Sequence, residues 1–456
     1  MHSKPRRSMI QRFRMRLNSF ATCVQVAALA CGLLTIPALA QTVDPPVTPI
    51  PFRNAVDLAL QNSGIMGIAA INQWRARKAY EEMRANYIPQ ITIGSGLGYS
   101  YGFPLTLEGS APSVVNFNST QALFNLSLRQ FIKAAKIDWH ATSLDVQDKR
   151  DAVILDTALT YAQLAQLSGK ISALTEAQAA ARKAEFVSQQ RFQEGVDSQL
   201  EVTRSQLVTA RIRLRIAEAE DQSDVLRDHL SKLLNLPAAQ IAVEPNSVPQ
   251  IPVISQDDDL AARAVSNSLD VKLAEQKVAA AKARAQGEHK ALTMPTIDLA
   301  SQYAYLAKYN NYDLYYRNYT ANNFSGGLNI RFPIFNSVQK AKAQEADADA
   351  QIAQKQADLT KDRVSEDALK LQRSLRQLSA ARDVAKLEWE VSQGDLEAVK
   401  GRVQTGNANT RDQQNAELDT DDKHAAYFDA EFDLSRAELQ LLRLTGQLEN
   451  WAIPSQ

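Results

Sequence analysis

Apolar residues in this chain follow two spacings, and the spacings alternate in the same order twice. From about Phe52 to Tyr87 the spacing is helical, in a stretch rich in Ala, Arg and Glu, and Pro89 ends it. The period then drops to two. Ile91, Ile93, Leu97, Tyr99 and Tyr101 share one parity; Thr92, Gly94, Gly96, Gly98 and Ser100 share the other. This pattern predicts a strand with one apolar face and one small or polar face. Residues 103–115, with Pro104, Gly109 and Pro112, predict a loop. A second strand is expected to about Leu128, with Ala122, Phe124, Leu126 and Leu128 opposed to Gln121, Asn125 and Ser127. Leu123 interrupts that alternation.

The second half repeats the pattern. Leu260 to Ser268 echoes Ala55 to Ser63, and Ile297, Leu299, Tyr303 and Tyr305 oppose Thr296, Asp298, Ala300 and Gln302. Beyond a tyrosine-rich loop around Tyr309 to Tyr319, Phe324, Leu328, Ile330 and Phe332 oppose Asn323, Ser325, Gly327 and Asn329. The strand pairs therefore occupy about 90–128 and 296–334. Strands of roughly ten residues suffice to cross a bilayer when tilted, and tyrosines at their loop ends suit an interfacial girdle. On this reading Ile91, Ile93, Leu97, Phe124, Leu126, Ile297, Leu299, Phe324, Leu328 and Ile330 form a lipid-facing surface. An ordinary hairpin with one wet face is the alternative. Four strands cannot close a barrel, and lipid does not tolerate open sheet edges. Membrane-spanning strands would have to be pooled between chains, and three chains would supply about twelve.

The remainder is helical. From Lys136 to Gln190 there is no proline, and one heptad column reads Val146, Val153, Thr160, Leu167, Leu174, Ala181, which predicts coiled-coil-like packing. A return helix is expected from about Leu200 to Leu236, where Pro237 stops it. In the second half helices are expected from about Val338 to Lys400, with Leu371, Leu375 and Leu378 on one stripe, and from about Asp412 to Leu444. Between each outgoing and returning helix stands a short motif: Arg191-Phe192-Gln193-Glu194-Gly195, then Arg402-Val403-Gln404-Thr405-Gly406, 211 residues later. A glycine following a helix suits the left-handed position that ends it, so each motif predicts the tip of a helical hairpin. Pro89 and Pro295 repeat at 206 residues, and Leu233-Leu234-Asn235-Leu236 is matched to Leu441-Leu442-Arg443-Leu444 at 208. Landmarks in one order at one spacing mean an internal duplication. The expected organisation is a first repeat over 41–236, a proline-rich linker over 237–255, and a second repeat over 256–456.

Composition adds a leader. Residues 1–40 contain Lys4, Arg6, Arg7, Arg12, Arg14 and Arg16 without an acid, an apolar centre from Val24 to Leu39, and Ala38-Leu39-Ala40 at the end. That is the form of a secretory signal peptide; a membrane anchor would need a longer apolar run. The leader takes six of the 51 basic residues, leaving 45 against 51 acidic ones, which disfavours a nucleic-acid partner. Both cysteines, Cys23 and Cys31, lie in the leader, so the expected mature chain has no thiol chemistry. Ala28-Leu29-Ala30-Cys31 has the outline of a lipoprotein box without its usual leucine. The five histidines, His2, His140, His229, His289 and His424, are scattered and predict no metal site. Gly94-Ser95-Gly96-Leu97-Gly98 sits in a strand pattern, unlike a phosphate loop. Asp419, Asp421 and Asp422 read as a solvated helix face rather than a cation site. No catalytic motif or cofactor signature is present, so the chain is expected not to be an enzyme.

Taken together, the leader, the duplicated strand–hairpin–strand order and the paired Arg-x-x-x-Gly tips resemble the TolC family of bacterial outer-membrane efflux and export ducts. The resemblance spans essentially the whole chain after the leader. It implies a mostly helical fold with a small β part, trimerising into a 12-stranded outer-membrane β-barrel continued by a periplasmic α-helical barrel. It further implies an exit conduit for tripartite efflux or type I secretion, with a periplasmic adaptor and an inner-membrane transporter as partners. Arg191, Phe192, Gly195, Arg402, Val403 and Gly406 would then lie at the adaptor-docking end. Glu201, Asp412 and Asn415 would lie at the periplasmic mouth, where Asn415 replaces a family aspartate. Val403 and Ala408 replace a tyrosine and an arginine that tie the mouth shut in family members. Arg129-Gln130-Phe131-Ile132 lacks the family's Gln-Pro, which the second half keeps in part as Phe332-Pro333-Ile334-Phe335, so the first strand-to-helix turn is expected to differ. A periplasmic coiled-coil scaffold or adaptor without a pore is the alternative, and nothing in the sequence selects a cargo.

Overall fold

The computed structural model describes residues 49–96, 113–252, 259–306 and 320–453. The expected leader, the strand positions Leu97, Tyr99 and Tyr101, and the tyrosine-rich loop around Tyr309 to Tyr319 lie outside these residues. The order is β1 (Pro49–Ile50), α1 (Phe52–Asn62), α2 (Gly64–Ala85), β2 (Gln90–Gly94), β3 (Ser113–Asn125), α3 (Leu126–Gln193) and α4 (Gln199–Leu234). After β4 (Ala242–Val243) come α5 (Leu260–Asn267), α6 (Leu269–Thr293), β5 (Thr296–Leu306), β6 (Asn322–Arg331), α7 (Ser337–Gln404), α8 (Thr410–Leu444) and α9 (Leu448–Ala452). The two outgoing helices, α3 and α7, are both 68 residues long, about 100 Å each.

The repeat extends to the caps. The side chain of Asn125 accepts from the Leu128 amide at 2.9 Å to start α3, and that of Asn336 accepts from the Gln339 amide at 2.9 Å to start α7. Such a cap satisfies one of the amides that a helix start leaves without a partner. The helix expected from Phe52 to Tyr87 is broken at Ser63. Its extended backbone ends α1, and its hydroxyl accepts from Ile65 to start α2. Ser268 does the same between α5 and α6, bonding Val271.

Three expectations are corrected. The first strand pair ends at Asn125 instead of about Leu128, so Leu126 opens a helix and is not a barrel-face residue. The Asn125 cap prevails because its side chain can satisfy a helical amide that a strand would leave to a neighbour. The second pair ends at Arg331 rather than about 334. The two strand-to-helix turns differ from each other: α3 follows its strand directly, whereas residues 332–336, with Pro333, separate β6 from α7. Lastly, the left-handed residues Asn235 (φ 55°) and Gly446 (φ 71°) end α4 and α8 and are 211 apart. The leucine landmark thus repeats at the same interval as the tips, so that Leu233 matches Leu444 rather than Leu441.

From its second member on, the heptad column is a buried seam: Val153, Thr160, Leu167, Leu174 and Ala181 are all buried, and Val146 is half-buried. The main core gathers where α1, α3, α4, α9 and the linker meet, around Phe52, Val56, Ile154, Tyr161, Leu230, Leu234 and Trp451. Phe52 meets Tyr161 edge-on at 5.5 Å and Trp451 at 5.4 Å. The buried Tyr161 hydroxyl donates to the Ile50 carbonyl (2.7 Å) and accepts from the Glu244 amide (2.8 Å). It thereby fastens the linker and β1, whose strand pairs in parallel with β4. The described part of the linker, 237–252, is accordingly folded, with short 3-10 turns at Ala238–Gln240 and Pro245–Ser247.

Candidate functional site: strand faces and helical tips

Four strands form one antiparallel sheet in the order β2-β3-β5-β6. Its register sorts side chains onto two faces, because directly paired residues point the same way. Ile93, Phe117, Tyr303 and Phe324 form one cross-strand row, and Thr92, Asn118, Gln302 and Ser325 form the next. Leu299 with Leu328, and Phe124 with Ile297 and Ile330, extend the apolar face. The other face holds Gln90, Asn116, Thr120, Ala300, Ala304, Asn323 and Gly327, together with an Asp298–Arg331 ion pair at 2.5 Å. Of the expected lipid-facing residues, Ile91, Ile93, Phe124, Ile297, Leu299, Phe324, Leu328 and Ile330 share the apolar face. Ile93 is 70% exposed and Phe324 72%.

Sequence periodicity missed Phe117. A register shift between Ala122 and Phe124 leaves Leu123 without a partner. This is a β-bulge, which exchanges the two faces on its far side. Counting back by twos from Phe124 therefore puts Phe117 on the wrong face. The interruption at Leu123 was the available signal.

At the tips, Gly195 and Gly406 both have φ 75°. Val196 N–H bonds the Arg191 carbonyl (2.8 Å) and Gly195 N–H the Phe192 carbonyl (3.0 Å). Asn407 and Gly406 repeat both bonds to Arg402 (2.8 Å) and Val403 (3.1 Å). This Schellman closure satisfies the last helical carbonyls and needs a left-handed residue. The tip side chains of Arg191, Phe192 and Arg402 are exposed, and Val403 is half-buried. Arg191 pairs with Asp197 at 3.2 Å. Arg402, whose counterpart of that aspartate is Ala408, has no ion pair among the described residues.

Glu201 and Asp412 occupy matching places in the first turns of α4 and α8. Glu201 pairs with Arg204 at 2.6 Å. Asp412 completes a capping box: its amide donates to Asn409 at 2.9 Å, and its carboxylate accepts from the Asn409 amide at 3.4 Å. Asn415 is exposed. A cavity of about 670 Å³ touches Arg191, Asp197, Glu201, Val403, Ala408 and Asn409, so the two tips stand side by side.

Higher on the hairpins, the acidic run is not a uniformly solvated face. Asp422 forms a 2.6 Å ion pair with Arg215 across the hairpins. Asp421 turns into the groove between them, and burial pushes its carboxyl up to about 6, aided by Glu417 and Asp422 and opposed by Arg215. His424 stacks on Trp389 at 4.3 Å, and its burial lowers its pKa. His229 and His289 each meet one aspartate, Asp156 and Asp347. Among the described residues no group of three or more His, Cys, Asp or Glu could hold a metal ion, and no helix is long and apolar enough to cross a membrane.

Several solved structures share this architecture. CusC, described as forming a transmembrane channel, is 17% identical, with 88% of this chain and 92% of that one covered and a TM-score of 0.73. The outer membrane protein VceC of Vibrio cholerae is 17% identical (87% and 96% covered, TM-score 0.71). The open MtrE outer membrane channel of Neisseria gonorrhoeae is 18% identical (87% and 89% covered, TM-score 0.67). At these identities the likeness establishes the fold. No curated protein matches the chain in sequence. The pattern of the outer membrane efflux proteins, however, matches residues 55–236 and 260–447, one stretch in each repeat. The chain therefore belongs to the outer membrane efflux protein family, as an efflux component of the outer membrane.

Proposed function

We propose that three copies of this chain assemble into one passive conduit, without catalysis, in which twelve strands close a barrel through the outer membrane and the helical hairpins prolong it. The observation that carries this reading is the sheet itself. One face carries the large exposed apolar side chains, interrupted by Ser119, Gln121, Ser301 and Gly326, the other is mostly small or polar, and among the described residues β2 and β6 are edges without a further partner. In hydrocarbon an unpaired edge amide or carbonyl costs several kcal/mol, so a four-stranded sheet is stable there only when β6 of one copy pairs with β2 of the next. The same closure turns the row of Thr92, Asn118, Gln302 and Ser325 into part of a wet lumen.

The tips are the end that a periplasmic adaptor, and through it an inner-membrane transporter, would engage. Support comes from the exposed Phe192 and from Arg402, whose guanidinium is left to an outside partner. Glu201, Asp412 and Asn415 would be set around the mouth, each present three times in the assembly.

The test uses edge cysteines. With Cys23 and Cys31 replaced by serine, Thr92→Cys is combined in turn with Asn323→Cys, Ser325→Cys or Gly327→Cys, and the full chain is oxidised in outer membranes. At least one pairing is expected to give a covalent trimer on denaturing gels, with monomer only from each single cysteine. Monomer alone from all three combinations would sink the shared barrel.

A further inference from the structure

A second cavity, of about 530 Å³, opens where α3, the α5–α6 junction, α7 and α8 converge. Its depth is marked by Asp151, whose residue is only 8% exposed and whose carboxylate has no hydrogen bond or ion pair among the described residues. The carboxyl oxygens keep a little solvent contact through the cavity, and a carboxylate so nearly enclosed without a protein partner is costly to hold charged, which favours a ligand that supplies one. The neighbouring charges are already engaged. Asp148 is held by Arg443 at 2.8 Å and Lys149 at 3.1 Å, Asp270 by Arg363 at 3.4 Å, and Lys370 turns to Glu366 at 3.4 Å. Leu155, Leu269, Leu371 and Leu444 supply apolar walls, and exposed Asp270 and Asp367 stand at the rim.

These features define the complementary ligand. Counting these pairing residues with the lining, five carboxylates stand against four cations, and the one buried charge without a direct partner is the negative Asp151, which disfavours an anion. The described acidic side chains do not gather closely enough for a metal ion. The apolar walls call for hydrocarbon. We propose that this cavity binds a small organic cation, seating an ammonium group on Asp151 and an apolar body against the four leucines. Its size falls in the range of small-molecule pockets, roughly 300–1,000 Å³.

The site has a built-in pH dependence. Burial raises the Asp151 carboxyl to about 6, Glu449 on α9 and Asp148 add to the rise, and Arg443 and Arg150 oppose it. Asp270, Asp367 and Lys370 face the same cavity from α6 and α7. Above pH 6 the carboxylate is ionised and can hold a cation; as pH falls through 6 it takes up a proton and the attraction is lost. This binding does not depend on how many copies form the duct.

The probe is 4-phenylbutylamine, which carries one ammonium group, with 4-phenylbutanol as its uncharged analogue. Isothermal titration to the purified full chain in detergent at pH 7.5 is expected to show saturable amine binding. The alcohol, the Asp151→Asn variant and the wild type at pH 5 should each bind at least about tenfold more weakly, the loss of one charge-assisted contact. Leu371→Trp, which fills the cavity and leaves the charge, should also abolish binding. No saturable amine binding, equal affinity for amine and alcohol, or undiminished binding by Asp151→Asn or Leu371→Trp would each overturn the site.

Discussion

The two repeats carry the same scaffold but are completed differently. In the first, α1 is enclosed by aromatic residues, and the end of the chain returns to seal it: Trp451 touches Phe52, and its indole N–H donates to the Gln250 carbonyl at 3.2 Å. In the second, the matching helix α5 packs by Leu260 against Leu375, Leu434 and Leu441, with no aromatic ring in that cluster. Duplication reproduces helix length and caps, because those are set locally. The core filling diverged because only one repeat lies next to the linker and the C-terminal helix.

That comparison can be broken most forcefully in the core. Phe52→Ala should cost about 3–5 kcal/mol and Leu260→Ala about 2–4 kcal/mol, read from urea unfolding midpoints. Trp451→Ala should accelerate amide hydrogen exchange in α1 and leave α5 unchanged; equal acceleration in both helices would show that the repeats share one core. The tips should behave alike. Gly195→Ala and Gly406→Ala each force a side chain into a left-handed backbone, with no heavy atom within 4 Å of the new methyl, so each should cost about 1–2 kcal/mol. A difference larger than about 1 kcal/mol between them would deny the equivalence.

The smallest effects concern charge at the proposed mouth. Asp412→Asn keeps an oxygen acceptor for the capping box and removes the charge, while Glu201→Gln does the same on the other hairpin. If the rings of charge act on permeating ions, block of single channels by multivalent cations should weaken about two- to tenfold with Asp412→Asn and less with Glu201→Gln, because Arg204 holds Glu201 at 2.6 Å whereas Arg411 stands 3.6 Å from Asp412. Unchanged block in both would remove these residues from the mouth.

Most of the architecture was legible in the sequence because it rests on local rules. The heptad column from Val153 to Ala181 is the buried seam, and the glycines at 195 and 406 are left-handed closures. What escaped depended on interactions that periodicity does not encode. The capping power of Asn125 decided where a strand became a helix, and the bulge at Leu123 decided which way Phe117 points. Arg191 was readable as a tip residue, but its pairing with Asp197, and the absence of that pairing at Ala408, became visible only once the tip was folded. Asp151 carried no sequence signal: an aspartate on a long helix usually faces water, and only the packing of four helices around it encloses it.

The junctions between strand and helix differ in stiffness. Where Asn125 passes directly into α3, no residue is available to absorb a change of angle, so any tilt of that helix is transmitted into the sheet as torque. Residues 332–336, with Ile334 95% and Phe335 91% exposed, instead link β6 to α7 without regular structure, stiffened at Pro333. The direction in which α7 leaves the sheet is therefore set by five residues of its own, whereas that of α3 is set by the strand it continues.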